Sequence, residues 1–81
     1  MMKRLKTADK IVVGAKQVNK AIKGGNAQVV YLARDADQHI IAPLVEACEG
    51  QDVEICYVDE MSQLGKACGI KVNASAAAIL K

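Results

Sequence analysis

The sequence predicts an α/β fold, a three-layer α-β-α sandwich around a small mixed four-stranded sheet. Short apolar runs of strand length alternate along the chain with segments whose apolar residues recur at helical spacing. The 81 residues include no Phe or Trp and two Tyr, so we expect a core of Val, Ile, Leu and Ala. Such residues suit close packing of helices on a sheet. A chain of this length predicts one domain, residues 1–81.

The first part of the chain predicts two helices and two strands. Residues 2–9 indicate a short helix, and the β-branched run 11–13 indicates a strand. A helix follows to about Lys23, with the two glycines at 24–25 as its C-terminal cap. Residues 28–33 are almost continuously apolar, as expected of a central strand that is covered on both faces.

A polar turn and a longer helix come next. Residues 34–37 predict the turn, and Asp37 is placed to cap the helix that follows. The helical spacing of residues 40–48 predicts a helix that stops at Gly50. Pro43 lies inside this pattern and lacks a backbone donor, which predicts a kink or a late start.

The last part of the chain predicts two strands on either side of a short helix. Residues 53–58 indicate a strand, and residues 59–68 indicate a helix that Gly69 closes. We expect a loop over residues 70–75 and a terminal strand over residues 76–80.

Three lysines share one face of the helix that follows Gly14. At about 100° per residue they fall within a narrow arc, and two amides flank them. These five residues are Lys16, Lys20, Lys23, Gln17 and Asn19. Ammonium groups, amides and the free N–H groups of a helix that starts from a glycine suit a polyanion with base edges. The alternative is a solvated helix surface, and charge alone does not decide between the two.

Charge is distributed unevenly along the chain, although the net charge is only +2. Residues 3–23 hold seven Lys or Arg and one acid, whereas residues 35–60 hold eight acids and no Lys or Arg. This polarity favours an anionic partner on the N-terminal side. It also supports an alternative function, a ribosome- or ribonucleoprotein-associated scaffold that acts mainly through protein contacts of its acidic face.

Catalysis and metal binding find little support in the sequence. His39 is the one histidine and is expected to be solvated, while turn formation and capping account for Asp35 and Asp37. We therefore expect no enzyme, no cofactor and no metal site. An odd number of cysteines without CxxC spacing predicts buried thiols in a reducing cytoplasm. The three are Cys48, Cys56 and Cys68. The apolar runs are too short to span a membrane.

Four segments resemble the kink-turn-binding ribosomal protein family, often written L-seven-Ae, in order and at about its spacings. Residues 14–25 resemble its Gly-x-Asn-Glu-x-x-Lys-x-x-x-x-Gly segment, and residues 30–37 resemble its strand-to-turn segment. Residues 64–70 match Leu-Gly-x-Ala-x-Gly-Ile/Val, and residues 74–79 resemble an alanine-rich final strand. Each motif alone is unspecific, but together they cover nearly the whole chain and look like the short bacterial form.

The resemblance implies an α-β-α sandwich that grips a kink-turn, which is an RNA helix bent at sheared G·A pairs. The RNA would be ribosomal or riboswitch-like, the protein a monomer, and ribosomal proteins further candidate partners. The positions that match the family's functional ones are Gly14, Lys16, Gln17, Lys20, Arg34, Asp37, Ile40, Lys71, Val72 and Asn73.

The family also implies a role for each position around the first helix. Gly14 lies where the family's backbone approaches the RNA at the start of the helix. Lys16 replaces an Asn, and Gln17 replaces the Glu that reads guanine edges. Lys20 retains the family Lys, and Arg34 is expected beside this helix.

The remaining positions form the other side of the implied site. Asp37 and Ile40 align with the acid and the Ile that cradle an extruded nucleotide. Residues 71–74 align with the recognition loop, in which Val72 would pack on the extruded bases.

Three departures from the family pattern affect the expected affinity. Gln17 offers a neutral acceptor where the family has a charged one, which makes a weaker hydrogen bond. Met61 stands where a Lys is usual, and the Pro that normally follows Asp37 is missing, which shortens the turn by one residue. We expect binding that is weaker than the family norm, or narrower in the RNAs that are accepted.

Overall fold

Four strands and three helices form the part of the chain that the computed structural model describes, residues 10–81. They are β1 (Ile11–Val13), α1 (Ala15–Lys23), β2 (Ala27–Ala33), α2 (Gln38–Gln51), β3 (Glu54–Val58), α3 (Met61–Cys68) and β4 (Ala76–Leu80). This alternation confirms the predicted α/β class. The helix predicted over residues 2–9 lies outside the described residues.

The strands form one mixed sheet in the order β1-β4-β2-β3. β4 runs antiparallel to both β1 and β2, whereas β2 and β3 run parallel. The parallel pair follows from the connection through α2, because a helical crossover returns the chain to the same end of the sheet. The sequence alone did not predict the strand order.

The central strands β2 and β4 are buried at successive positions and therefore on both faces of the sheet. α1 and α2 pack against each other, while α3 packs on β4, β2 and β3. Three consecutive alanines of β4, at residues 76–78, are fully buried and let the layers approach closely. Tyr31 of β2 joins the aliphatic core and is only 1% exposed.

The ends of α1 follow the sequence prediction. The backbone N–H of Gly24 donates to the carbonyl oxygen of Lys20 at 3.0 Å, and that of Gly25 donates to Ile22 at 3.1 Å. Gly25 takes a φ of 73°, a conformation that favours glycine. The paired glycines thus cap the helix as expected.

α2 begins where the predicted Asp37 cap places it, but it ends later than predicted. It starts at Gln38 with Pro43 inside it, so the proline does not delay the start of the helix. The helix also continues past Gly50 to Gln51. Asp52 ends it in the left-handed conformation, at φ 57°, and donates its N–H to carbonyls of the last turn. Aspartate tolerates this conformation better than most residues, so the helix needs no glycine there.

Candidate functional site

Six of the ten predicted site residues lie in the segments at one end of the sheet, namely Gly14, Arg34, Asp37, Lys71, Val72 and Asn73. β1, β2 and β3 finish at this end and β4 starts there, because β4 runs opposite to the other three strands. We call it the loop end, formed by residue 14, residues 34–37, residues 59–60 and residues 69–75. Three backbone hydrogen bonds tie it together, from Gly14 to Ala76 at 2.8 Å, from Ala33 to Ser75 at 3.0 Å and from Arg34 to Val58 at 2.7 Å.

Gly14 turns the chain from β1 into α1 at the loop end. Its φ of 102° and ψ of 145° suit glycine, although a Cβ there would meet no atom within 4 Å. Its carbonyl oxygen accepts the first helical hydrogen bond from Val18 at 3.0 Å. No side chain caps the helix and its first turn holds no acid. The N-terminus of α1 therefore presents open N–H groups that favour an anion.

The lysine face of α1 is exposed as predicted. Lys16, Gln17 and Lys20 are exposed, whereas Val18 and Ile22 on the opposite face are fully buried. Gln17 and Lys20 also border a shallow hollow of about 200 Å³. The hollow is completed by Val12, Ala21, Asn26 and Leu80. The amide and one ammonium group thus line one concave surface beside β1.

The turn after β2 presents Asp37 and Ile40 to solvent. One carboxylate oxygen of Asp37 accepts the backbone N–H of His39 at 2.8 Å, which confirms the predicted cap of α2. His39 is exposed. Ile40 lies in the first turn of α2 with its side chain 40% exposed. The carboxylate retains further acceptor capacity beside this apolar side chain.

The loop before β4 lies on α3 and is held there by backbone contacts. Gly65 is buried, and a Cβ on it would collide with the carbonyl oxygen of Val72. The N–H of Ala74 donates to the carbonyl of Met61 at 3.1 Å. Val72 itself is 69% exposed, and Lys71 beside it is also exposed. Val72 thus presents an aliphatic side chain to solvent from a loop whose backbone is held against α3.

Asp35 connects the turn after β2 to this loop, a role that the sequence analysis missed. Its carboxylate oxygen Oδ1 accepts the backbone N–H of Met61 at 2.8 Å. A side chain from a distant turn thereby caps the N-terminus of α3, where Glu60 provides no side-chain cap. The signal in the sequence was the first acid of the Asp-x-Asp pair, Asp35, since Asp37 alone suffices to cap α2.

Arg34 lies at the loop end but faces away from the position that the resemblance implies. Its guanidinium carbon lies 5.0 Å from the ring centre of Tyr57, and its Nε lies 3.4 Å from Oδ1 of Asp59. These contacts direct the side chain toward β3 and not toward α1. Tyr57, 42% exposed, and Asp59 were not among the predicted site residues.

The three cysteines differ in burial, and Cys56 lines a surface hollow with Arg34 and Asp59. Cys48 is buried, as expected, whereas Cys56 and Cys68 are only half-buried. Burial raises the pKa of both the Cys48 and Cys68 thiols above the ordinary value. Within residues 10–81, no cluster of three His, Cys, Asp or Glu could hold a metal ion. Nor does any helix in that part of the chain have the length and apolarity needed to cross a membrane.

Comparison with known proteins relates the whole chain to one family. Residues 1–81 match the model of the Ribosomal protein L7Ae/L30e/S12e/Gadd45 family. An RNA-binding protein of Geobacillus thermodenitrificans is 49% identical over 74 residues, which cover 91% of this chain and 90% of that protein. RNA-binding protein YbxF of Geobacillus stearothermophilus is 47% identical over the same shares of the two chains.

Solved structures show the same fold. The Giardia lamblia 15.5kD RNA binding protein superimposes with a TM-score of 0.88 at 32% identity. The match covers 99% of this chain and 68% of that one. The described three helices and mixed four-stranded sheet therefore recur in a protein whose name records RNA binding.

Proposed function

This chain belongs to the Ribosomal protein L7Ae/L30e/S12e/Gadd45 family, and from that membership we propose that it binds RNA and recognises the kink-turn. The RNA is ribosomal or riboswitch-like, and the protein acts as part of a ribonucleoprotein. Relatives such as YbxF, named as RNA-binding proteins, support the RNA partner. The four family motifs support the choice of the kink-turn within that class.

The observation that carries the proposal is the meeting of two separate chain segments at the loop end. Gly14, at the start of α1, donates its backbone N–H to Ala76, the first residue of β4. The open N-terminus of α1 therefore follows strand β1, and the loop over residues 71–74 precedes the neighbouring strand β4. One bent RNA helix can contact both segments at once.

The two segments offer different chemistry to the RNA. The ammonium groups of Lys16 and Lys20 suit phosphates, and the amide of Gln17 suits a base edge in the groove. Val72 offers an apolar surface to bases that the bend extrudes, since unstacked bases favour such cover. The start of α1 and the loop over residues 71–74 thus form two sides of one RNA-binding site. We expect the RNA to contact both sides only when it is bent.

The decisive experiment compares a kink-turn duplex with an unkinked duplex of equal length. We expect tighter binding to the kink-turn, measured by titration at two salt concentrations because phosphate contacts alone are salt-dependent. Equal affinities for the two duplexes at both salt concentrations would refute kink-turn recognition while leaving general RNA binding in place.

The acidic face provides a matched control for this experiment. Glu49 is exposed on α2. The variant Glu49→Gln should keep the preference for the kink-turn. If α2 itself contacted the RNA, the preference would change.

A further inference from the structure

Arg34 is an isolated cation in the acidic half of the protein. It is the only Lys or Arg between residues 24 and 65, and eight acids follow it over residues 35–60. Arg34 is thus the one cation that this stretch of chain offers to an RNA phosphate, among carboxylates that repel it. The direction of its guanidinium therefore bears on which part of the surface can attract the RNA.

Tyr57 and Asp59 together hold that guanidinium in place. The guanidinium carbon lies 5.0 Å from the Tyr57 ring centre, within the range of a cation–π contact. Asp59 lies 3.4 Å from Nε, which is the inner edge of the guanidinium. Both partners are set by the sheet, because Arg34 donates its backbone N–H to Val58, the residue between them.

We propose that Tyr57 is a positioning residue for RNA binding, which holds the Arg34 guanidinium over its ring so that the outer N–H groups meet an RNA phosphate beside β3. This inference rests on the proposed RNA-binding function and extends its interface by one strand. Asp59 occupies Nε and leaves the four Nη hydrogens for the phosphate. Arginine suits the task because its planar group stacks on an aromatic ring and still presents a fork of donors.

The pair between Arg34 and Asp59 is weak enough to accommodate the phosphate. Their side chains are 63% and 84% exposed, and ion pairs so open to water contribute little to stability. The Tyr57 contact is different in kind because the ring lies under the guanidinium, where it does not compete with a phosphate for the N–H groups. A phosphate can thus join the outer edge without breaking the stacking contact.

A double-mutant cycle on kink-turn affinity tests this arrangement. The four proteins are wild type, Arg34→Ala, Tyr57→Leu and the double variant. We expect a roughly tenfold loss of affinity for Arg34→Ala and a roughly two- to fivefold loss for Tyr57→Leu. In the Arg34→Ala background, Tyr57→Leu should cost nothing further, because the ring acts only through the guanidinium.

Two conservative variants and the salt dependence separate positioning from a general structural effect. Tyr57→Phe keeps the aromatic ring and should bind RNA with wild-type affinity. Arg34→Lys keeps the positive charge but lacks the planar fork of N–H donors, so its affinity for RNA should fall. Arg34→Ala should also flatten the salt dependence by about one unit of slope. Thermal unfolding of each variant checks that the folded protein is compared throughout.

Either of two outcomes would overturn the inference. A Tyr57→Leu penalty that persists in the Arg34→Ala background would mean that the ring contacts RNA itself or supports the fold. If Tyr57→Phe bound RNA as weakly as Tyr57→Leu, the aromatic ring would be excluded as the group that holds the guanidinium. If the wild-type protein bound kinked and unkinked duplexes equally, the proposed kink-turn recognition would be overturned instead. The double-mutant cycle would then still measure the coupling of Arg34 and Tyr57 with the unkinked duplex.

Discussion

Asp35 accepts a hydrogen bond from the backbone N–H of Met61 at 2.8 Å, across 26 residues of sequence. Met61 in turn accepts the N–H of Ala74 at 3.1 Å through its own carbonyl oxygen. Met61 therefore joins the turn after β2 to the loop before β4 through its backbone N–H and its carbonyl oxygen. The turn after β2 and the loop before β4 are fixed relative to each other by this chain of contacts.

Removing the Asp35 carboxylate should lower stability and RNA affinity together. Asp35→Ala leaves the N-terminus of α3 without its side-chain cap, which should cost about 1 kcal/mol in free energy of unfolding. Asp35→Asn keeps an acceptor oxygen and should lose less. Chemical denaturation measures the stability and titration with a kink-turn measures the affinity. Unchanged stability in Asp35→Ala would contradict the capping role.

Gly65→Ala should displace the loop, because the added Cβ would collide with the carbonyl of Val72. Overpacking against backbone should cost about 1–3 kcal/mol in free energy of unfolding and should weaken kink-turn binding. The matched control is Gly50→Ala, where a Cβ meets no atom within 4 Å. Gly50 lies inside α2, so alanine there should raise stability by about 0.5–1 kcal/mol. Similar effects from the two substitutions would exclude the steric explanation.

Gln17 and Lys20 should affect RNA binding in different ways. If the Gln17 amide contacts a base edge, Gln17→Ala should cost roughly 1–3 kcal/mol in binding and relax discrimination between kinked and unkinked RNA. If Lys20 contacts a phosphate, Lys20→Ala should weaken binding to both RNAs and reduce the salt slope by about one unit. Titrations over a series of salt concentrations distinguish the two effects. Loss of discrimination from Lys20→Ala alone would reverse the assigned roles.

Val72→Ser should weaken RNA binding and leave stability unchanged. The side chain is 69% exposed in the free protein, so the fold gains little from it. Cover by extruded bases would bury it, and losing that burial should cost about 1 kcal/mol, or about fivefold in affinity. The measurement pairs thermal unfolding with kink-turn titration. A variant that unfolds earlier but binds as wild type would show that Val72 serves the fold.

Burial of Cys48 and Cys68 predicts a loss of stability at alkaline pH. Their raised pKa values mean that the folded state favours the neutral thiol over the thiolate. This contribution is complete below the ordinary value of 9.0 and is lost as the pH rises through the raised pKa values. The free energy of unfolding should therefore fall above that pH. A Cys48→Ala/Cys68→Ala variant should show a shallower fall in the same denaturation series.

Local patterns explain why much of the fold was predictable. α1 combines a clear apolar periodicity with a glycine at each end, so its face and its cap followed from neighbouring residues. The predicted end of α2, at Gly50, was wrong because Asp52 takes the left-handed conformation that glycine more often supplies at the end of a helix. No local signal distinguishes that aspartate from a solvated one.

Contacts between distant segments account for what the sequence did not reveal about the site. The exposed positions of Lys16, Gln17 and Val72 followed from the motifs and helical spacing. The direction of Arg34 did not, because it depends on Tyr57 and Asp59, which come beside it only through the parallel pairing of β2 with β3. The cap from Asp35 to Met61 likewise requires the strand order.

The links through Met61 use only its main chain, and this frees its side chain to vary. Asp35 binds its N–H and Ala74 binds its carbonyl oxygen, so any residue with a peptide N–H can hold the loop from position 61. The resemblance implies a lysine at this position, and methionine can replace it without moving Val72. Substitutions at position 61 can therefore change the side chain that is presented there while the backbone contacts that hold the loop stay the same.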